Sequence, residues 1–443
     1  MNMRLKRLSP VQFLALTFLG LILAGTFLLM LPWSTVGEQI GFVDALFTAT
    51  SAVCVTGLVV VDTGTRFSFF GQAVILLLIQ LGGLGLMTVA TMVAVILGKR
   101  ITFRDRLIIQ ESFNQFTLEG MVRLVKYIVL TTFVIQGIGA FILFLRFRPL
   151  FGPVRGLWFA VFHAVSAFCN AGFDLFGNFR SLEAFTSDPV VNLVIISLIV
   201  LGGIGFSVIA DVYTHRGFKG LSLHTKLVMQ VTLALIVIPS IVIGMTEWNN
   251  ALAPYDLTGK VLGSIFTAVT TRTAGFNTVP IATLSQATTL LLIGLMFIGA
   301  SPASTGGGIK TTTFAMIVLS VLAVLRQQPE VVIGGRRIPV AVTFKSLAVA
   351  VMALVLALSV TFLLLITEEH AFLDILFETI SALGTVGLSR GITTTLSTVG
   401  RLALVVTMFA GRVGPLTLAF AFSVKTDPCA NIVRYPEGKI IVG

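Results

Sequence analysis

One type of short segment recurs four times along the chain, and this recurrence limits the possible folds more than any other feature. Each copy begins with phenylalanine, is rich in serine, threonine and alanine, and ends in glycine within a strongly apolar context. The four copies are residues 47–57, 162–172, 266–275 and 377–387. Their glycines recur at intervals of roughly 110 residues, so that one unit fills the chain four times. Fourfold repetition of a loop inside a membrane would indicate a pore.

The composition places the chain in a lipid bilayer. Hydrophobic residues make up 56% of the sequence and charged residues only 11%, whereas charged residues approach a quarter of an average soluble domain. Apolar runs long enough to cross about 30 Å of hydrocarbon are found at 12–32, 72–97, 124–145, 190–213, 223–245, 286–325 (interrupted), 344–366 and 400–424. They predict an all-α polytopic membrane protein with eight transmembrane spans, two per unit. The first run is too long for a signal peptide and no cleavage site follows it, so we expect it to be a retained helix.

The units and their orientation follow from the same runs. The predicted repeats are 1–99, 100–215, 216–326 and 327–424, followed by a tail at 425–443. Most lysines and arginines lie in segments on the same side of the membrane as the N-terminus. The positive-inside rule therefore predicts a multi-pass protein of the plasma membrane with both termini cytoplasmic. The same bias accounts for most of the net charge of +11. No soluble basic segment is long enough to bind nucleic acid. Acidic residues lie mostly on the opposite side, where they would concentrate cations at the entrance.

Each unit is predicted to consist of a helix, a re-entrant segment and a second helix around one central pore. The stretch from the phenylalanine to just before the glycine is too short to span, so it should form a half-length pore helix. Non-helical backbone at membrane depth is tolerated where it is buried in protein or faces water, so the glycine loops should line a cavity. Glycine permits a positive φ, which would let the backbone carbonyl oxygens turn inward and replace the hydration shell of a cation. The partially negative C-terminal end of each short helix would favour cations further.

The predicted selectivity filter therefore combines the residues around the four glycines. They are Cys54, Val55, Thr56, Gly57, Asn170, Ala171, Gly172, Thr273, Ala274, Gly275, Thr385, Val386 and Gly387. Any one of these glycines could instead serve helix packing, but four in phase favour a filter. The third copy is one residue shorter than the others, so its quarter of the ring could differ in shape, and Arg272 there could anchor the loop.

A second glycine motif follows each filter loop, at 82–85, 202–205, 299–302 and 411–414. Close helix packing suffices to explain it in the first two units. In the third unit, proline and three consecutive glycines break the helix, and no other span is expected to be broken in this way. The loop 299–310 should therefore lie in the permeation path and act as a gate. A nucleotide-binding P-loop is excluded because Ile309 separates the glycines from the lysine.

The predicted gate residues include two cations. The full set is Pro302, Ser304, Thr305, Gly306, Gly307, Gly308, Lys310 and Arg412. Arg412 lies in the middle of an apolar span, so its guanidinium should face the pore, bind the third-unit loop and add a positive barrier. The alternative is that Arg412 snorkels to the membrane surface. Lys310 either ends the loop or reaches a cytoplasmic cavity.

These residues resemble those of the membrane subunits of Ktr-type potassium uptake systems, within the Trk/Ktr/HKT superfamily. The matching strings are 56–64, 169–173, 271–277, 384–388, 304–310 and 411–416. The resemblance covers nearly the whole chain and implies K+ as the ion held at the filter residues. Glycine at all four filter positions is similar to the potassium-selective members, whereas serine at position 57 would suggest sodium transport. A sodium-coupled or sodium-permeable transporter of the same superfamily is the alternative.

The resemblance also implies partners. The membrane subunits of such systems are homodimers on a cytoplasmic ring of nucleotide-binding regulatory subunits, and the tail around Arg434 resembles the segment that helps to form the dimer contact. No covalently bound cofactor is expected, and Na+ as an activator is left open. An enzyme would need paired acids or a His/Cys constellation at bilayer depth, which the sequence lacks. A proton-coupled carrier would usually carry a mid-membrane carboxylate, so that class is disfavoured.

Overall fold

A computed structural model describes residues 10–85, 121–215 and 217–414, and within them the chain is predominantly helical with almost no strands. Each predicted unit begins with a long apolar helix. These helices are α1 (Pro10–Leu29), α5 (Met121–Phe151), α9 (Leu223–Glu247) and α13 (Val340–Thr367). All four are long and apolar enough to cross a membrane. Large apolar side chains on their outer faces are exposed, as expected for helices that contact lipid.

A short buried helix follows each long one. These helices are α2 (Phe42–Val53), α6 (Pro153–Phe168), α10 (Leu257–Thr270) and α14 (Phe372–Gly384). The phenylalanines that open the repeated segments, Phe47, Phe162, Phe266 and Phe377, are at most 1% exposed and anchor these helices in the core. The helices are too short to span the bilayer and end in the glycine loops.

The second helix of each unit begins at a polar cap. These helices are α4 (Phe69–Leu84), α7 (Pro189–Gly203) with α8 (Phe206–Thr214), α11 (Gln286–Phe297) with α12 (Thr311–Leu325), and α15 (Thr398–Val413). Ser68, Ser285 and Ser397 each accept a hydrogen bond from the N–H three residues ahead, and Asp188 caps α7. These caps satisfy backbone donors that would otherwise be left unpaired at the helix start.

The expectation that only the third unit has a broken second span is wrong. Helices α7 and α8 are bent by 95° at the break after Gly203, and Gly205 there has a φ of +102°. In the first unit α4 ends at Gly85, with a φ of +79°, and in the fourth α15 ends at Gly414, with a φ of +95°. The last glycine of the motif therefore redirects the backbone, in addition to the close packing expected of its first glycine.

The remaining elements are small. Helix α3 (Thr63–Arg66) follows the first filter loop, and a hairpin of β1 (Val332–Ile333) and β2 (Arg336–Arg337) connects α12 to α13. The parts of the predicted spans 72–97 and 400–424 beyond Gly85 and Gly414 lie outside the described residues. So do the start of the second unit and the tail 425–443 with Arg434.

Candidate ion pathway

The four filter glycines lie next to one another in a closed ring. A Cβ atom added at Gly57 would lie 2.6 Å from the Ala171 carbonyl oxygen, and one added at Gly172 would lie 2.9 Å from that of Ala274. A Cβ at Gly275 would lie 2.6 Å from the Val386 oxygen, and one at Gly387 would overlap the Thr56 oxygen. Each glycine is thus packed against the carbonyl that precedes the next glycine in the ring. No side chain fits between the loops, so carbonyl groups and glycine Cα atoms form the ring.

The four loops share one backbone shape. Two residues before each glycine stands a non-glycine residue in the left-handed region, with φ between +51° and +66°. These residues are Val55, Asn170, Thr273 and Thr385. The conformation reverses the chain direction at the end of each short helix, as αL residues commonly do at helix C-termini.

A hydroxyl group near the end of each short helix fixes the loop that follows, a feature that the sequence analysis did not identify. Ser51 Oγ accepts a hydrogen bond from Gly57 N (3.0 Å), and Ser381 Oγ accepts one from Gly387 N (3.1 Å). Ser166 Oγ donates to the Phe173 carbonyl (2.8 Å), and Thr270 Oγ1 donates to that of Phe276 (2.5 Å). The sequence does contain a signal for these anchors, since a serine or threonine stands at the corresponding place in all four segments.

The third copy is one residue shorter than the others, and a tighter turn at the end of α10 accommodates the difference. Ala274 N donates to the carbonyl of Thr270, four residues back, at 3.0 Å. The corresponding amides of the other loops, including Thr56 N and Val386 N, donate to carbonyls five residues back. The tighter turn leaves Gly275 in the ring with a φ of +79°, similar to the other three. The backbone carbonyl of Arg272 accepts from Asn170 Nδ2 (3.2 Å).

Arg272 does not anchor the third loop through Nε or Nη1 of its side chain. The residue is only 6% exposed, and these two nitrogen atoms have no hydrogen-bond partner among the described residues. Asn170 Nδ2 also lies 3.3 Å from Thr273 Oγ1, so the second and third loops are joined through the Asn170 amide. The link between these loops therefore comes from the second unit.

His163 and Glu378 occupy the same place in the second and fourth units, directly after the buried phenylalanine. His163 Nδ1 lies 2.7 Å from the Phe159 carbonyl, and its Nε2 accepts from Leu175 N at 3.4 Å. The Glu378 carboxylate is completely buried and accepts a hydrogen bond from Thr393. Both side chains thus hold the chain that leaves the filter. Glu378 is one of the acidic residues expected at the entrance, but its carboxylate is buried against the chain that follows the fourth loop.

A cavity of about 250 Å³ lies on one side of the glycine ring and forms its vestibule. All four filter glycines line it, and its two carboxylates are Asp62 and Asp174. Burial, with a smaller contribution from the nearby charges of Asp62 and Glu183, raises the pKa of Asp174 to about 7, although hydrogen bonds from the backbone N–H groups of Phe176 and Gly177 oppose the shift. The vestibule therefore carries a carboxyl group that titrates near neutral pH.

Several other acidic residues on this side form ion pairs and do not line the vestibule. Asp188 accepts from Arg146 at 2.5 Å, Asp374 from Arg390 at 2.5 Å, and Asp44 from Arg401 at 2.6 Å. Their charges are compensated locally, so they attract cations less than the sequence analysis expected. The negative charge near the ring comes mainly from Asp62 and Asp174.

The loop between α11 and α12 lies directly on the other side of the ring. A Cβ at Gly306 would overlap Thr273 Oγ1 and lie 2.5 Å from Ala300 Cβ, and a Cβ at Gly307 would lie 3.0 Å from Thr385 Cγ2. Thr273 and Thr385 are the left-handed residues of the third and fourth filter loops. The glycines therefore permit the loop backbone to approach the filter closely.

Backbone contacts fix both sides of this loop. Ile298 and Ile309 form a parallel bridge, and Gly299 N donates to the Ile309 carbonyl at 2.7 Å. On the second unit, Ser301 N donates to the Gly203 carbonyl (3.0 Å), and Thr305 Oγ1 donates to the Phe168 carbonyl (3.1 Å). Ser304 Oγ donates to the Ser301 carbonyl at 2.7 Å. The loop has a defined conformation packed beneath the filter.

The bend between α7 and α8 contacts the same loop. Phe206 N, at the start of α8, donates to the Ala303 carbonyl at 2.7 Å. A Cβ at Gly205 would lie 2.5 Å from the Pro302 carbonyl oxygen. Only a residue without a side chain fits there, which explains why the motif of the second unit ends in glycine.

Arg412 contacts the loop and the end of α4. Its guanidinium donates to the carbonyls of Thr305 and Gly82 and, at 3.3 Å, to that of Gly83. Carbonyl partners from two elements therefore solvate this cation within the protein. Lys310 ends the loop, with Nζ donating to the Gly306 carbonyl at 2.8 Å.

The first glycine of the second motif packs on the end of a short helix. A Cβ at Gly82, Gly202 or Gly411 would overlap the carbonyl oxygen of Val53, Phe168 or Leu383, respectively. In the third unit a Cβ at the corresponding Gly299 would instead overlap the carbonyl oxygen of Gly307 in the loop and lie 2.9 Å from the Gly308 Cα. In the first, second and fourth units this glycine thus packs directly on a short helix that ends at the filter, whereas in the third unit it packs on the loop.

Comparison with known proteins identifies the family. The TrkH family, described as cation transport protein, matches residues 8–435. The chain belongs to this family. The resemblance found in the sequence is thereby confirmed, and so is the prediction of a transporter rather than an enzyme, since the family members are membrane transport proteins.

Individual relatives extend the comparison. The Ktr system potassium uptake protein B of Bacillus subtilis is 47% identical over 439 residues, which are 99% of this chain and 97% of the relative. The potassium/sodium uptake protein NtpJ of Enterococcus hirae is 39% identical, over 99% of this chain and 98% of the relative. The crystal structure of the potassium transporter TrkH from Vibrio parahaemolyticus aligns with a TM-score of 0.72 at 18% identity. It covers 92% of this chain and 83% of that one. This last likeness supports the helical TrkH-family fold.

Proposed function

We propose that this TrkH-family member is the potassium-translocating membrane subunit of a Ktr-type uptake system. The observation that carries the proposal is the closed ring of Gly57, Gly172, Gly275 and Gly387, in which each glycine is packed against a carbonyl of the next loop. In such a ring, backbone carbonyl oxygens replace the water around a dehydrated cation. The potassium uptake named in the B. subtilis relative is consistent with K+ as the transported ion.

Selectivity would arise from the filter residues together. The carbonyl oxygens of Thr56, Ala171, Ala274 and Val386 precede the four glycines and would contribute to one ion site. The C-cap residues of the short helices are Cys54, Cys169, Thr271 and Thr385, and the helix dipoles would add negative potential near the axis at these ends. Hydroxyl groups such as Ser51 and Ser381 would hold the ring at its size.

Uptake in cells that lack their own K+ transport tests the function. We expect cells that produce the chain together with a Ktr-type regulatory subunit to accumulate K+ from low external concentrations. Cells with the empty vector provide the control. Normal membrane insertion without any K+ accumulation would refute the proposal.

The alternative function is transport of Na+, alone or coupled to K+. It is favoured by the potassium/sodium uptake named in the E. hirae relative, and Na+ as an activator is left open for the same reason. The glycine at each of the four ring positions favours K+. Measurement of Na+ uptake in the same cells, with and without K+, separates these functions: a sodium transporter would accumulate Na+ in the absence of K+, and a coupled one only in its presence.

We further propose that residues 302–308 form the gate. The loop packs against Thr273 and Thr385 of the filter loops, and Arg412 links it to Gly82. Gly306, Gly307 and Gly308 make several backbone conformations similar in energy, so a partner need supply only a few kcal/mol of differential binding to shift their populations.

Deletion of residues 302–308 tests the gate. The deletion removes the part of the loop beyond the bridge between Ile298 and Ile309, so residues 299–301 would connect these two positions. We expect K+ uptake to become high and independent of the regulatory subunit. Uptake that stays low and partner-dependent, in a variant that inserts normally, would place the gate elsewhere.

The assembly follows the Ktr resemblance. We propose a homodimer in the plasma membrane, seated on a cytoplasmic ring of nucleotide-binding regulatory subunits, with both termini of each chain in the cytoplasm. The four repeats 1–99, 100–215, 216–326 and 327–424 would surround one pore with eight spans. The recurrence of long helix, short helix, left-handed residue and glycine in each of the four segments supports this arrangement.

A further inference from the structure

An apolar groove of about 390 Å³ lies between α9 and α10, away from the ion pathway. Ile236, Ile241, Val261 and Ile265 contribute to its walls. The hydroxyls of Ser240 and Ser264 also line it, but they donate to the carbonyls of Ile236 and Lys260, respectively. The lining therefore offers an apolar surface with no free hydroxyl donor, which suits a hydrocarbon chain.

The dimensions of the groove fit one leaflet of a bilayer. Its lining extends along α9 from Ile236 to Trp248, a rise of about 18 Å at 1.5 Å per residue. Half of a hydrocarbon core of about 30 Å is close to that length. Gly244 lies within the groove, and a Cβ there would make only an ordinary contact, 3.4 Å from Ser264 Oγ. Close packing does not require this glycine, and its missing side chain leaves the groove open.

A positively charged side chain, that of Lys260, lies at the end of the groove on the vestibule side. Lys260 Nζ lies 4.8 Å from the centre of the Trp248 ring and donates to the Trp248 carbonyl at 3.1 Å. Lys260 forms no ion pair within the described part of the chain. Its ammonium has three donors, so two remain available. Tryptophan and lysine at this level are typical of the membrane interface.

We propose that the groove is a binding site for an anionic phospholipid of the leaflet on the vestibule side. One acyl chain would lie along Ile236, Ile241 and Ile265, and the phosphate of the headgroup would bind Lys260. The charge of Lys260 makes the site selective for anionic over zwitterionic headgroups. The proposal is independent of the transported ion.

Quenching of Trp248 fluorescence by brominated lipids tests the proposal. The chain contains three tryptophans, so replacing Trp33 and Trp158 by phenylalanine leaves Trp248 as the reporter. In vesicles of phosphatidylcholine with a minor fraction of phosphatidylglycerol, we expect brominated phosphatidylglycerol to quench Trp248 more strongly than brominated phosphatidylcholine does at the same fraction. Lys260→Gln should lower this preference about fivefold, since one basic residue near an anionic surface contributes about 1 kcal/mol. Lys260→Arg should retain it.

Gly244→Leu tests whether the acyl chain occupies the groove. The leucine side chain would fill the space, so the quenching by phosphatidylglycerol should fall to the level of phosphatidylcholine. Gly137→Leu on α5 is the matched control, because a Cβ there meets nothing within 4 Å. In this variant the quenching of Trp248 by each lipid should equal that in the parent protein. Equal quenching by both lipids in the parent, or unchanged preference in Gly244→Leu, would refute the proposal. Loss of dimers in Gly244→Leu without a change in lipid preference would identify a second copy of the chain as the occupant and would also refute it.

Discussion

At the scale of single residues, two kinds of glycine must be distinguished. Gly57 and Gly391 both have a positive φ, +94° and +100°. A Cβ at Gly57 would lie 2.6 Å from a carbonyl oxygen of the next loop, whereas a Cβ at Gly391 meets nothing within 4 Å. A side chain at either site costs backbone strain of order 1 kcal/mol. Only at Gly57 would it also displace the ring.

The first prediction is therefore that Gly57→Ser weakens the discrimination between K+ and Na+, because the side chain moves the Ala171 carbonyl away from the ion. Na+ should compete with K+ uptake more strongly than in the parent protein. Gly391→Ser introduces the same backbone strain without the clash and should retain the parent's selectivity. Unchanged competition in Gly57→Ser, at normal expression, would contradict the filter assignment.

A second prediction at this scale concerns Asp174. Burial, together with the nearby charges of Asp62 and Glu183, raises its pKa to about 7, so the carboxyl is mostly charged above that pH and mostly neutral below it. The attraction of cations to the vestibule should therefore be present at high pH and weaken as the pH falls through 7. We expect the KM for K+ to rise on acidification, and Asp174→Asn to have a high KM at every pH. Glu38→Gln, at an exposed position outside the vestibule lining, should keep the parental pH profile. A pH-dependent KM that persists in Asp174→Asn would exclude this group.

At the scale of elements, Arg412 joins the end of α4, which packs on the first short helix, to the loop between α11 and α12. It belongs to α15 and contacts the loop at Thr305 and α4 at Gly82 and Gly83. Three elements from three units therefore meet at one guanidinium. If this contact holds the loop beneath the filter, its removal should favour loop conformations that let ions pass.

We predict that Arg412→Gln raises K+ uptake in the absence of the regulatory subunit. Glutamine can donate to one carbonyl but carries no charge, so both the link and the positive barrier are weakened. Arg326→Gln, at the exposed end of α12, removes a charge of the same type outside the pathway and serves as the control. Normal expression with unchanged partner-dependent uptake would show that Arg412 has no such role.

The sequence predicted the helices better than their breaks. The long helices and the short ones follow from apolar length alone, and the loop with Pro302 follows from proline and glycine chemistry. The bend at Gly205 was missed because Gly-Gly-Ile-Gly also suits tight helix packing. Only the contact of Gly205 with the Pro302 carbonyl distinguishes the two uses, and that contact lies about a hundred residues away in the chain.

The ring of four glycines could be located from sequence because the glycines recur in phase, and its role as a selectivity filter stays a prediction. The hydroxyl anchors and the buried Glu378 could not be located in this way, since serine, threonine and glutamate near a membrane surface are common and their partners depend on how the loops fold back. Ser51 bonds a glycine N–H and Ser166 a carbonyl, although both hold equivalent positions. Local sequence specifies the hydroxyl, and the tertiary fold decides which group it binds.

At the scale of the whole molecule, the cysteines allow the topology to be tested. The chain contains three. Cys54 and Cys169 are completely buried at the ends of α2 and α6, so a polar maleimide should not reach them. Cys429 lies outside the described residues, in the tail that the positive-inside rule places in the cytoplasm.

We therefore predict that a membrane-impermeant maleimide labels the unaltered protein only after the cells are permeabilised. Glu38→Cys adds a thiol to the connection between α1 and α2, on the side where Arg66 and the vestibule lie, and this variant should be labelled in intact cells. Gln327→Cys, at the end of α12, should react only after permeabilisation, like Cys429. A Cys429→Ser background assigns each signal to its intended thiol. Labelling of the unaltered protein in intact cells, or of Glu38→Cys only after permeabilisation, would reverse the orientation and place the vestibule on the cytoplasmic side.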